Sequence, residues 1–327
     1  MYKASKIGVF NEVNADKRSV DYYSINGSTV SVNNPIDITT VLTDKCNLKC
    51  RFCIAAYKAP RPEATITEMR VALEAMFKHF HIDNILTLGG EATYSSKFIE
   101  WLGVVGKYKN SVRDLILTTN GTRLEDEKFL KIVADSPLTS LNLSYHHYDK
   151  AANDALSRGK TLTVDQIAKI HKVLSSNGKS LRLNVVSQKG GIDTAEKLAR
   201  YAETFAGRVD MIKITQMQKT AQYDVMTGGY TSENFVKTEI YNSMLDEYGA
   251  GCPVVAQNNN VFSIEGLKMK IVDHGGQKVM LVYAQDENSK AYVPDIEDLK
   301  IHPDASVTNS WKQSNLNYAK SEITKIS

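Results

Sequence analysis

From residue 36 the chain repeats one pattern: a short apolar run suited to a buried strand, followed by an amphipathic stretch at helical spacing. The strands read as Ile36 to Leu42, Asn84 to Leu88, Asp114 to Thr118, Ser140 to Ser144, Leu181 to Ser187 and Met211 to Gln216. After the second come Phe98, Leu102 and Val105. After the fourth come Ile167, Ile170, Val173 and Leu174, opened by Thr163 with Gln166 as a capping box and closed by Asn177-Gly178. Successive strand-helix units predict an α/β fold with a parallel sheet curled into a partial barrel, because each helix returns the chain to the end of the sheet where it started.

Two segments flank this core. Alternating residues in Val20 to Ile25 and Ser28 to Val32 surround Asn26-Gly27, a dipeptide suited to the positive φ angles of a tight hairpin turn. The C-terminal hundred residues open with an amphipathic helix near Ser232 to Tyr248. Two alternating runs, Leu267 to Val272 and Lys278 to Tyr283, then pair around His274-Gly275-Gly276-Gln277. The expected organisation is an N-terminal β-hairpin over 1–35, the barrel core over 36–220 and a capping extension over 221–327, with a polar tail after Pro303.

In open parallel sheets ligands bind beyond the carboxyl ends of the strands, and there the unusual residues of this chain collect. The first strand runs into Cys46, Cys50 and Cys53, three thiols at spacings of four and three, with Phe52 before the last. Cluster ligation ordinarily takes four thiolates, so three leave one iron open. The alternative is zinc, whose structural sites want four ligands; the only other cysteine is Cys252. Clustered thiols fit a reducing compartment and metal ligation better than a disulfide framework. Lys and Arg exceed Asp and Glu by three, which is no strong field for nucleic acid. No apolar run approaches the roughly eighteen residues of a membrane span, and the first residues have no apolar core behind them, the pattern of a cytoplasmic protein.

The C-x3-C-x2-C spacing with its aromatic residue resembles the signature of the radical S-adenosylmethionine (SAM) superfamily, and the core over 36–217 resembles that of the molybdenum-cofactor GTP cyclases within it. The resemblance implies a partial (β/α)6 TIM-like barrel and a [4Fe-4S] cluster on Cys46, Cys50 and Cys53. It further implies SAM on the open iron, cleaved by one electron to a 5'-deoxyadenosyl radical that takes hydrogen from the substrate. An electron donor such as flavodoxin or ferredoxin is implied as a partner. After the second strand, Gly89-Gly90-Glu91 is similar to the motif that binds the SAM amino group, with Ala92 where the usual proline stands. Thr119 and Ser144, at the ends of strands three and four, match SAM contacts. Arg182, with Asn184 beside it on strand five, falls where the cyclase has a lysine for the SAM carboxylate. The end of strand six, Thr215-Gln216-Met217, with Gln216 the candidate, is matched loosely to an adenine contact. The cyclase's second cysteine triplet has no counterpart here, which points away from GTP cyclisation.

Three groups are candidates for handling substrate: Tyr145, His146 and His147 directly after Ser144, suited to polar contacts or proton movement; the loop Lys189-Gly190-Gly191 before a helix, suited to an anion or to simple chain entry; and Cys252, as a hydrogen-atom donor or a small apolar filler. The leading expectation is a radical SAM enzyme acting on a small polar or nucleotide-like molecule. The alternatives are an epimerase of a peptide or sugar using Cys252, and a non-enzymatic metal-binding scaffold.

Overall fold

The computed structural model describes residues 19–53, 61–258, 268–284, 295–309 and 317–326. The first hairpin forms as its turn chemistry dictates, with β1 (Ser19–Ile25) antiparallel to β2 (Ser28–Val41) around Asn26 and Gly27, both at positive φ. The second arm does not stop at residue 35. It continues without a break into the first barrel strand, so hairpin and core share one strand of 14 residues.

The remaining core strands lie where the apolar runs predict: β3 (Ile82–Leu88), β4 (Asp114–Thr119), β5 (Ser140–Ser144), β6 (Ser180–Ser187) and β7 (Met211–Gln216). Each pairs parallel with the next from β2 to β7. The helices between them bury one stripe each. In α6 (Ala195–Phe205), capped by Thr194, the buried residues Leu198, Tyr201, Ala202 and Phe205 recur at three- and four-residue intervals. The capping box of α5 (Val164–Ser176) forms as read, with Thr163 and Gln166 bonding reciprocally.

The C-terminal segment joins this sheet. After α9 (Thr238–Ala250) and β8 (Val254–Asn258), strand β9 (Met269–His274) turns back at Gly275-Gly276 into β10 (Gln277–Val282), the hairpin foreseen from the sequence. Leu267 lies outside the described residues. The other edge of β10 pairs parallel with β7, and β11 (Ile296–Ile301) pairs parallel with β2. Among the described residues the parallel strands therefore run β11-β2-β3-β4-β5-β6-β7-β10, and the sheet does not close on itself. The described strands of the extension add a wall to each side of the partial barrel.

Strand pleating gives the barrel two unlike faces. Leu115, Leu117, Leu141, Leu143, Leu181, Leu183, Ile212 and Ile214 are at most 1% exposed and belong to the apolar core, which also takes in the helix stripes. The alternate residues are more polar: Asn84 donates to Asp37 (2.8 Å) and Asn142 to Thr118 (3.3 Å). Where β7, β9 and β10 meet, Met211, Met269, Ile271, Met280 and Val282 form a separate apolar plug on that same face. At the carboxyl end of the strands the polar residues of this face line a pocket. Among the described residues no helix is long and apolar enough to cross a membrane.

The join between β7 and β10 has its own fastening. Tyr241 of α9 is fully buried, and its hydroxyl lies 3.2 Å from Ile214 O and 2.8 Å from Val282 O. Tyr241→Phe keeps the packing and loses the donor, so it should lower stability by about 1 to 1.5 kcal/mol. Urea unfolding checks this, and an unchanged midpoint would mean that the clamp contributes nothing.

Candidate active site

The chain leaving β2 must approach the chain leaving β3 closely, and glycine makes this possible. Gly90 N–H donates to Thr43 O (2.7 Å) and Glu91 N–H to Lys45 O (2.8 Å). A Cβ on Gly90 would lie 2.3 Å from Lys45 O, and one on Gly89 2.6 Å from Thr43 O. No side chain fits such contacts without moving backbone. The loop that carries the cysteines is thereby laid against the β3 exit.

Its far side rests on α4 (Lys150–Ser157). Lys49 N–H donates to Ser157 O (3.1 Å) and Arg51 N–H to Leu156 O (3.0 Å), satisfying carbonyls that a helix end leaves without partners. Gly159, just beyond, leaves room for Leu48, whose Cδ2 would be 2.5 Å from a Cβ there. Held from both sides, Cys46, Cys50 and Cys53 line one wall of a cavity of about 590 Å³.

The donor set fits an iron-sulfur cluster. Among the described residues no three His, Cys, Asp or Glu side chains are gathered tightly enough for a single metal ion, and a closed zinc site would need a fourth ligand. A cubane is larger than one ion and takes its ligands at separate corners. Burial raises the Cys46 thiol, and burial with the neighbouring Cys53 and Cys46 pushes Cys50 up to about 12. Thiols crowded this way release their protons when positive charge arrives among them. Sulfur also has donors nearby: Leu48 N–H is 3.4 Å from Cys46 Sγ, and Ser157 hydrogen-bonds Cys50.

Glu91 also lines the cavity, yet it is 2% exposed and its carboxylate is already engaged. Thr93 N–H (3.2 Å), Thr93 Oγ1 (2.7 Å) and Thr119 Oγ1 (2.7 Å) donate to Oε1, and Asn120 N–H (2.7 Å) donates to Oε2. Burial raises this acid while the four donors oppose the rise. Glu91 and Thr119 thus form a buried knot that ties the exits of β3 and β4 together beneath the cavity.

Ser144, Asn184 and His146 also line the cavity. His146 stands edge-on to Phe52 at 4.7 Å, and its Nδ1 accepts from Val186 N–H at 3.3 Å. A backbone N–H only donates, so the ring proton belongs on Nε2. Burial pushes His146 down to about 4, leaving a neutral imidazole with one donor. Its neighbours are not brought in. Tyr145 is 1% exposed and donates to Leu162 O (3.1 Å), and His147 Nδ1 accepts from Asp149 N–H (2.9 Å); neither is among the lining residues.

Three further expectations are displaced. Arg182 shares the face of Asn184 but lies one pleat deeper, below the lining residues. Gln216 is on the outer face of β7, where Nε2 donates to Val236 O (2.7 Å); Lys213 and Thr215 hold the inner face, with Gln218 beyond. Cys252 lies 3.6 Å from His274 at the β9–β10 turn, and β10 begins beside Met211, the first residue of β7. From Met211 to Gln218 is about seven strand steps, on the order of 20 Å. Cys252 is at the opposite end of the barrel from the cavity and does not reach it. The 189–191 loop spends its amides internally, on Asn234 O, Asp193 and Gln188 O, leaving no nest for an anion.

Thr215, one of the three residues matched loosely to an adenine contact, does line the cavity, whereas the sequence reading missed Lys213, Gln218, Thr118 and Asn120. Alternation along β7 carries the signal for Lys213, whereas Asn120 reads only as half of a turn.

Gly90→Ala should drive the two loops apart and leave a folded chain binding at least threefold less iron and sulfide than wild type, checked by metal and sulfide analysis after anaerobic reconstitution. Full loading would show that the close approach is dispensable. His146 gives a pH signature. Above pH 6.5 neither folded nor unfolded chain holds its proton; below that the unfolded chain takes one up and the folded chain refuses it until about 4. Stability therefore falls with falling pH, by up to about 1.4 kcal/mol per unit from this group. His146→Gln should flatten that slope between pH 6.5 and 4.5 in urea titrations, whatever it does to stability at pH 7.

Comparisons with known proteins agree with this geometry. The Radical SAM superfamily pattern matches residues 40–199. A GTP 3',8-cyclase of Saccharophagus degradans is 28% identical over 165 residues, 49% of this chain, and the match spans about half (48%) of that relative's length. Another from Aquifex aeolicus is 22% identical over 223 residues, covering 66% of this chain and 67% of the relative. Among solved structures, Streptococcus suis SuiB bound to S-adenosylmethionine superposes with a TM-score of 0.61 at 17% identity, over 88% of this chain and 64% of that one, a likeness of fold. With the cysteine loop, the glycine approach and the parallel barrel already in place, residues 40–199 form a radical SAM domain.

Proposed function

We propose that this protein uses a [4Fe-4S] cluster on Cys46, Cys50 and Cys53 to cleave SAM reductively and abstract hydrogen from a small polar or nucleotide-like substrate. The observation that carries the reading is the convergence of the three thiols, the Gly89-Gly90-Glu91 turn and the polar ends of β4 to β7 on one cavity. When bound, the cluster would supply an electron and SAM the 5'-deoxyadenosyl group that takes the hydrogen atom. This chain's own residues hold and orient. The 89–91 turn and the Glu91–Thr119 knot shape the floor on which SAM would lie, with Ser144 and Asn184 facing it. His146, neutral with its proton on Nε2, offers a hydrogen-bond donor from the side and does not act as an acid near pH 7. Lys213, Thr215 and Gln218 form the wall left for substrate. An electron donor of the flavodoxin or ferredoxin kind completes the requirement.

The epimerase reading with Cys252 as hydrogen donor is not supported, because that thiol is remote from the cavity. Protein reconstituted anaerobically with iron and sulfide, then given dithionite and SAM, should release 5'-deoxyadenosine. The Cys50→Ala variant should release at least a hundredfold less. Equal yields from the two proteins, or none from a wild type that carries iron and sulfide, would defeat the proposal.

A further inference from the structure

Asn120 joins two parts of the site that the sequence motifs treat separately. Its backbone N–H donates to Glu91 Oε2 (2.7 Å), inside the buried knot. Its side-chain Oδ1 accepts from Thr122 N–H (3.0 Å) and Thr122 Oγ1 (2.7 Å). Because a backbone N–H has no acceptor, this contact settles which end of the carboxamide is oxygen and turns the NH2 toward the cysteine loop. There Nδ2 lies 2.8 Å from Asn47 Oδ1 and 3.9 Å from Cys46 Sγ.

We propose that Asn120 is a positioning residue for the cluster: its side-chain amide donates to the Cys46 sulfur and sets how readily the cluster takes up its electron. The inference rests on the cluster reading above. A donor beside a ligating sulfur favours the state with more negative charge on sulfur, which is the reduced one. Hydrogen bonds to cluster sulfurs are among the levers on reduction potential. The position is well built for the task. Thr122 fixes the amide's orientation, Glu91 fixes the backbone beneath it, and Asn47 holds the NH2 over the loop.

The test is Asn120→Asp in the full chain, reconstituted anaerobically, with the potential read by a redox titration followed by electron paramagnetic resonance. Aspartate keeps an acceptor for both Thr122 donors but exchanges the NH2 for a negative charge, which itself disfavours the reduced cluster, so a more negative potential supports the inference only together with the nitrogen-15 coupling described below. The expected result is iron and sulfide content equal to wild type with a more negative potential. Loss of one hydrogen bond to a charged group changes the reduction equilibrium about tenfold, which is about 59 mV for one electron. An unchanged or more positive potential overturns the inference and leaves the cluster reading intact. Should the variant take up no iron, the wild type decides the matter. Labelling asparagine side chains with nitrogen-15 should exchange a nitrogen-14 coupling for a nitrogen-15 coupling in the pulsed spectrum of the reduced cluster, and no such exchange overturns the inference. A wild type without iron and sulfide defeats the cluster reading itself, and this inference with it.

Discussion

Two backbone hydrogen bonds, Gly90 N–H to Thr43 O and Glu91 N–H to Lys45 O, hold the exit of β3 against the exit of β2, and the site is organised around that contact. It sets where the cysteine loop begins, and the C-terminal turn of α4 sets where it rests. The loop has little internal structure: Cys53 N–H to Cys50 O is its own short turn. Its conformation is imposed by neighbours, as suits a segment that must present three sulfurs outward and bury few apolar atoms. The glycines at 89 and 90 are needed for contact distance, since a side chain at either would meet carbonyl oxygen.

The two faces of the sheet divide the work. Leucines, isoleucines and valines on one face stabilise the fold through burial, and the opposite face carries Asn84, Asn142, Asn184 and Lys213 in succession around the sheet. Polar residues inside a barrel cost stability unless they find partners, and Asn84 and Asn142 do so with neighbouring strands. Nearer the mouth the polar groups turn to the cavity. The methionine-rich cluster lies beside β7, with Met280 level with Lys213, and closes that flank of the barrel with apolar side chains.

Much of this is local and therefore legible in the sequence. The strands from 82 to 216 follow from apolar runs bounded by turn residues, and the Asn26-Gly27 and Gly275-Gly276 hairpins follow from positive φ at those residues. The cysteine triplet and the Gly-Gly-Glu turn are visible because each is contiguous. What escaped the reading depends on contacts between distant segments. β11 pairs with β2 across some 260 residues of chain, and nothing in either strand names the other. Of Thr215-Gln216-Met217 the contiguous pattern does not say which residue faces inward, because a strand boundary fixes length while the choice of inner face depends on what packs behind it; the inner one is Thr215. Cys252 looked reactive as an isolated thiol, and only the direction of β9 shows that it is at the other end of the barrel.

The placement of β10 and β11 has a bearing on how the molecule is made. Both outer edges of the central sheet are covered by strands encoded after residue 276, whereas β2 to β7 emerge earlier from the ribosome. Until those last strands are synthesised, β2 and β7 present unpaired backbone, which is the condition that invites edge-to-edge association. Nascent chains are therefore most vulnerable in the interval between completing the cysteine-bearing core and completing its borders. A protein truncated near residue 276 would contain every proposed cluster and SAM contact and still lack the strands that keep it from pairing with its own copies.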